Sequence, residues 1–138
     1  MTDLILGIAL VAGRASGPIL ALAEPLSFWG GVDAETGAIV EPRHPDVGRL
    51  VGGQVLAMPA VRGSSSSSSI LAELLRLGLG PAAILLGESD EILVVGSLAA
   101  QELYGSTCPI VLLGADAYAS VAGLASVDIA LDGTITAT

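Results

Sequence analysis

Arg62-Gly63-Ser64-Ser65-Ser66-Ser67-Ser68-Ser69-Ile70-Leu71-Ala72-Glu73-Leu74-Leu75-Arg76-Leu77-Gly78 is the stretch whose reading decides the fold. Ile70 to Leu77 carries apolar residues at helical spacing, and Gly78 stands where a helix stops. Six serines, Ser64 to Ser69, abut that helix with no spacer and separate no domains. The run therefore reads as a loop and a first helical turn, where hydroxyls cap free N–H groups, and not as a flexible linker. Short strand pieces, Gly48 to Ala57 and Met58 to Arg62, precede it, and Pro81 to Gly87 reads as the strand that follows. Together they predict a βαβ-like unit.

Working outward, Asp90 to Tyr104 reads as a helix, because Ile92, Val95, Ala99 and Leu103 fall on one face. Pro109 to Leu113 is the next strand and Asp116 to Leu124 a short helix. Val127 to Leu131 and Thr134 to Ala137 are terminal strands around an Asp132-Gly133 turn. Towards the start of the chain, Leu4 to Val11 and Gly17 to Leu22 read as strands split by the turn Gly13 to Gly17. Glu24 to Asp46 is dense in turn formers but too apolar at Leu26, Phe28, Trp29 and Val32 for a disordered linker. The expectation is one α/β domain over residues 1–138.

Composition narrows the function. Of the 138 residues, 52% are hydrophobic and only 3% aromatic, so Leu, Ile, Val and Ala must build the core. The net charge is -9 and there is no lysine, which sets the chain against nucleic acid and anionic membranes. The basic residues are Arg14, Arg43, Arg49, Arg62 and Arg76. Guanidinium groups suit carboxylates and phosphates, although an arginine-rich genome gives the same count. Cys108 is the lone cysteine, so it forms no internal disulfide and holds no metal or cluster alone. Its apolar neighbours suggest a buried thiol at a strand edge. Leu4 to Gly13 looks a little like a signal-peptide core, but Asp3 stands where positive charge is expected, so a buried first strand is the better reading. No apolar run reaches the roughly 20 residues of a membrane span. A soluble, cytoplasmic protein is expected.

Three segments could carry chemistry. Arg62-Gly63-Ser64-Ser65 leads into a helix, whose start offers unpaired N–H groups and partial positive charge to an anion. Gly63 permits close backbone approach, Arg62 could grip a carboxylate, and a serine there could act as base or nucleophile. Ordinary capping beside a surface arginine is the alternative. Pro25-Leu26-Ser27-Phe28-Trp29-Gly30-Gly31-Val32-Asp33 holds the one Phe and the one Trp. It is either a loop facing substrate or a subunit, or a plug for one end of the core. His44, in Arg43-His44-Pro45, is a structural residue, a general base or a phosphocarrier.

The sequence resembles the small, swivel subunit of the aconitase X family. The resemblance rests on Pro25 to Asp33, Thr36-Gly37, His44-Pro45, Gly48, Gly52 and Arg62-Gly63-Ser64-Ser65-Ser66. Pro81-Ala82-Ala83-Ile84 and Glu102-Leu103-Tyr104-Gly105 fit the same pattern, so it covers roughly residues 4–115. It implies a swivelling β/β/α domain like the mobile fourth domain of aconitases. It further implies a large partner subunit holding an iron–sulfur cluster on its own cysteines, with no cofactor on this chain. The reaction implied is dehydration of a small hydroxy-acid, with Ser64 as the base and Arg62, Gly63, Ser65 and Ser66 around the substrate. The six-serine run favours the branch acting on cis-3-hydroxy-L-proline over that acting on phosphomevalonate. The arginine that follows the paired serines in aconitases is missing here, which leaves Arg62 as its candidate replacement.

Overall fold

The βαβ-like unit lies at the centre of a single mixed sheet. A computed structural model describes residues 4–138; Asp3 lies outside the described residues. In chain order the elements are β1 (Leu4–Ile5), β2 (Ile8–Val11), β3 (Ala15–Ala21), α1 (Phe28–Gly31), β4 (Val55–Met58), α2 (Ser67–Arg76), β5 (Ala83–Leu86), α3 (Glu91–Tyr104), β6 (Ile110–Leu112), α4 (Ala115–Ala122), β7 (Ser126–Ile129) and β8 (Ile135–Ala137). The eight strands run in the order β1-β8-β7-β3-β4-β5-β6-β2. β3, β4, β5 and β6 pair in parallel, and the flanking pairs are antiparallel.

The parallel strands are short and apolar on both sides, as strands covered on both faces must be. Val55 and Ala57 of β4, Ala83 and Leu85 of β5 and Val111 of β6 join Val127, Ile129 and Ile135 in one core. Leu56, Met58, Ile84, Leu86 and Ile110 alternate with them and meet Leu71 and Leu74 of α2 and Leu93 and Ala100 of α3 in the other. β1 and β2 stand at opposite ends of the strand order, yet only Leu6 and Gly7 join them. One segment can border both ends only where the sheet curls round on itself, and closure leaves no free edge there. Gly7 sits at that seam. A Cβ on it would lie 2.3 Å from Val111 Cγ1 and 3.1 Å from the Gly133 carbonyl oxygen.

Some elements differ from their sequence reading: Leu4 to Val11 is broken between β1 and β2, and Met58 to Arg62 holds no strand beyond Met58. α2 starts at Ser67, so half of the serine run is helical, as expected of a run that is part loop and part first helical turn. In α3 the inward residues are Leu93, Gly96, Ser97 and Ala100, while Val95 and Leu103 face solvent. Small residues decide this. A Cβ on Gly96 would lie 2.7 Å from the Ser68 carbonyl oxygen, so α3 rests its glycine on the first turn of α2. Asp90 Oδ1 accepts from the Leu93 N–H at 2.8 Å and caps α3 at its start, and Gly105 ends it with φ 70°.

Ser97 Oγ donates to the Cys108 carbonyl at 2.6 Å and pins β6 under α3. Cys108 itself is fully buried, and burial pushes its thiol up from 9.0 to about 12. It is a core residue, as its neighbours suggested. Because the folded thiol holds its proton longer than the unfolded one, its contribution is complete below pH 9.0 and is lost as pH rises from 9.0 to about 12. At pH 8 the native chain should label with a thiol reagent no faster than it unfolds. Rapid labelling without denaturant would mean that Cys108 is accessible.

Candidate functional site at the serine loop

The chain leaves the sheet region at Val61, which forms an isolated parallel bridge with Leu26. The Arg62 N–H donates to the Leu26 carbonyl at 3.2 Å, so the serine loop starts beside the Pro25–Asp33 segment. Ser64 then opens the helical path. Its carbonyl accepts from the Ser67 N–H at 3.0 Å and its Oγ from the Ser66 N–H at 3.3 Å. Ser66 is the residue next to α2, and its own side chain caps nothing; Ser64 Oγ instead holds the turn just ahead of the helix.

Ser67 has a different role from its neighbours. It is 1% exposed, and its Oγ accepts from the Trp29 N–H at 3.0 Å. Ser27 Oγ donates to the Trp29 carbonyl at 3.0 Å and lies 3.4 Å from Ser67 Oγ. With the Ser27 hydrogen so used, the Ser67 hydroxyl donates to Ser27. The Phe28–Gly31 turn, kinked at Trp29 and at Gly30 with φ 78°, is thereby stitched to the first turn of α2. The sequence reading gave the hydroxyls of the run to capping, and the buried Ser67 departs from it. A signal was present: Ser67, Leu71 and Leu74 share the i, i+4, i+7 stripe of the buried face.

The two aromatics of the turn part company. Phe28 is fully buried in the core, and Trp29 is 57% exposed. Across the loop, Ser68 Oγ donates to the Ser65 carbonyl at 3.0 Å. Ser65 and Ser68 line a groove of about 260 Å³ with Glu91, Ile92 and Val95 of α3. A larger hollow of about 410 Å³ lies between β3, β7 and β8, lined in part by Arg14, Ser16 and Asp128, and no serine of the run borders it.

Arg62 reaches the loop already paired. Its Nη1 lies 3.2 Å from Glu41 Oε1 and its Nη2 3.6 Å from Glu24 Oε1. Its remaining N–H donors are half exposed, so a substrate carboxylate would compete with, or add to, these acids. Neither acid stands near Arg62 in sequence, so only the fold discloses the pairing. Gly63 is exposed, and a Cβ there would meet nothing within 4 Å, so its bare backbone is open to whatever approaches the loop.

His44 does not belong to the site. It is 4% exposed; Nδ1 accepts from the Asp46 N–H at 3.0 Å, and Nε2 stands 3.1 Å from the Glu24 carbonyl, to which it donates. Both ring nitrogens are held in hydrogen bonds, so neither is free for phosphate. Asp46 Oδ2, 3.9 Å from Nδ1, faces an unprotonated nitrogen and accepts from the Ala23 N–H at 3.1 Å instead. The phosphocarrier reading is thus set aside. His44→Ala should cost about 1–3 kcal/mol, the usual effect of leaving buried partners unsatisfied. A urea titration that shows no loss would contradict the assignment.

Among the described residues no group of three His, Cys, Asp or Glu side chains is placed to hold a metal. Cys108 is buried and alone, so this chain's residues do not fit an iron–sulfur cluster. No helix of the described residues is long and apolar enough to cross a membrane.

The chain is thus a curled mixed sheet flanked by helices, with a serine loop at the start of one of them, the architecture of a swivel domain in the family that it matches. The chain belongs to the aconitase X family: the family model described as the aconitase X swivel domain matches residues 4–137. Over 111 residues it is 50% identical to the cis-3-hydroxy-L-proline dehydratase of Pseudomonas aeruginosa, covering 80% of this chain and 19% of that one. Over 88 residues it is 38% identical to the phosphomevalonate dehydratase small subunit of Methanothermobacter thermautotrophicus, covering 64% of this chain and 67% of that one. It superposes on the crystal structure of holo Thermococcus kodakaraensis aconitase X with TM-score 0.82 and 26% identity, covering 99% of this chain and 98% of the other. The chain spans about a fifth of the length of the cis-3-hydroxy-L-proline dehydratases that it matches.

Proposed function

We propose that this chain, as a single domain over residues 1–138, is the small subunit of a two-subunit hydro-lyase that dehydrates cis-3-hydroxy-L-proline. The observation that carries the substrate is the 50% identity over 111 residues to the Pseudomonas aeruginosa dehydratase. In this reading Ser64 is the general base. It removes the proton from the carbon next to the carboxylate; the electron pair forms a double bond as the hydroxyl on the neighbouring carbon departs, and water is the second product. A neutral serine hydroxyl is a poor base. The Ser66 N–H aimed at Ser64 Oγ and the positive end of α2 both favour the alkoxide. Exclusion of water by a closing partner strengthens both effects.

Gly63, Ser65 and Ser66 present backbone and hydroxyl groups for the substrate, and Arg62 takes its carboxylate beside, or in place of, Glu24 and Glu41. The iron–sulfur cluster that the family resemblance implies belongs to the large partner subunit, which also supplies most of the pocket. The same reading places the enzyme in the cytoplasm, where a lone thiol such as Cys108 stays reduced.

A second reading, the small subunit of a phosphomevalonate dehydratase, draws on the 38% identity to a chain of comparable length. One experiment separates them: co-expression with the cognate large subunit, then assay on both compounds. Turnover of cis-3-hydroxy-L-proline by the complex and by neither subunit alone is the expected result. Turnover by the small chain alone, or by the complex on phosphomevalonate only, overturns it.

A further inference from the structure

Helix α3 carries more apolar surface than its core face uses. Ile92, Val95, Leu98, Ala99 and Leu103 form a second stripe beside the buried one, and Val95, Leu98 and Leu103 are 58%, 48% and 69% exposed. Single exposed apolar residues are ordinary, but a stripe at helical spacing marks a surface meant to be covered. The stripe is also continuous with the serine loop, since Ile92 and Val95 share their groove with Ser65 and Ser68. The exposed Trp29 also stands beside the loop, its backbone tied to Ser67. The hydroxyl-rich loop is thus bordered by apolar surface.

Charge narrows the occupant. α3 contains Glu91 and Glu102 and no basic residue, in a chain of net charge -9. Two copies would bring like charge to like charge across such a face, which costs free energy on contact. A surface with an apolar centre and an arginine or lysine rim fits it. In the Pseudomonas aeruginosa relative the matched segment is 19% of the chain, so a much larger body accompanies it there.

We infer that the Ile92–Val95–Leu98–Leu103 stripe of α3 is the seat of the large subunit, which docks there as it closes over the serine loop. This rests on the dehydratase reading and adds the surface through which the two subunits meet. Docking there seals the border that α3 gives the loop.

The test compares two double variants of the small chain, each titrated against the purified cognate large subunit. Val95→Glu with Leu103→Glu should raise Kd by at least about 30-fold, the effect of losing an interface hot spot, with the melting temperature unchanged. Leu50→Glu with Leu131→Glu, on residues 58% and 52% exposed outside α3 and β2, should bind as the wild type does. Wild-type affinity in the α3 pair, or equal weakening by both pairs, overturns the proposal. A dimer of the small chain that only the α3 pair dissociates would make a second copy the occupant and also overturn it. A wild-type chain that never binds the large subunit defeats the dehydratase reading itself, and this surface with it.

Discussion

Ser64→Ala in the assembled enzyme should lower kcat by about 10²–10⁴, the span usual for a lost general base. The small chain should still fold. Ser64 Oγ also receives the Ser66 N–H, so the substitution removes that bond and should cost about 1 kcal/mol in the isolated chain. The rest of the run separates chemistry from structure. Ser67→Ala leaves the part-buried Trp29 N–H without its acceptor and should destabilise by about 1 kcal/mol. Ser68→Ala removes only an exposed bond to the Ser65 carbonyl and should leave both rate and stability nearly unchanged. An alanine series over Ser64 to Ser69, with melts beside rates, reads all of these. Near-wild-type kcat in Ser64→Ala, with loss at another serine, would move the base to that residue. No loss at any of the six would remove the serine-base mechanism.

The series is needed because six identical residues carry no internal label. Composition and periodicity placed the run at a helix start, and the structure agrees. They left the first helical residue open within the run, because hydrophobic spacing is visible only where side chains are hydrophobic. Ser67 occupies a core-facing position of α2 as a polar residue, satisfied by Trp29 and Ser27. α3 shows the opposite limit. Ile92, Leu93, Val94 and Val95 follow one another, so periodicity predicts a helix and leaves its inward face open. Gly96 and Ser97 settle the matter, because only small residues allow α3 to lie on α2 and β6. The central strands Ala83–Leu86 and Ile110–Leu112 were legible because they are apolar on both faces. The seam at Gly7 was not, since Leu4 to Val11 reads as one uninterrupted strand. The pairing of Arg62 with Glu24 and Glu41 follows from how the Pro25–Asp33 segment folds back, which no local pattern reports.

Phe28 and Trp29 should give opposite results when each is replaced by alanine. Read as sequence, the pair could plug the core or face a partner. The structure assigns one task to each. Phe28 is fully buried among residues that include Leu26, Leu71 and Leu74. Phe28→Ala should therefore cost about 3–5 kcal/mol, the transfer and cavity terms of a deleted core aromatic. Set against a total of about 5–15 kcal/mol for a typical domain, that is enough to unfold a marginal chain at physiological temperature. Phe28→Leu keeps most of the volume and should recover more than half of the loss. Trp29→Ala removes a side chain that is 57% exposed, while the backbone N–H that Ser67 holds stays in place. Its effect on stability should stay within about 0.5 kcal/mol, as for surface substitutions generally. Its effect on assembly should be large, because the exposed Trp29 stands beside the serine loop. Adding the large subunit should shift the emission of this one tryptophan, and Trp29→Ala should weaken the complex. Unchanged emission in a complex verified by sedimentation would place the indole outside the interface. A stability loss in Trp29→Ala as large as in Phe28→Ala would mean that both rings plug the core, and that the loop has no free aromatic to present.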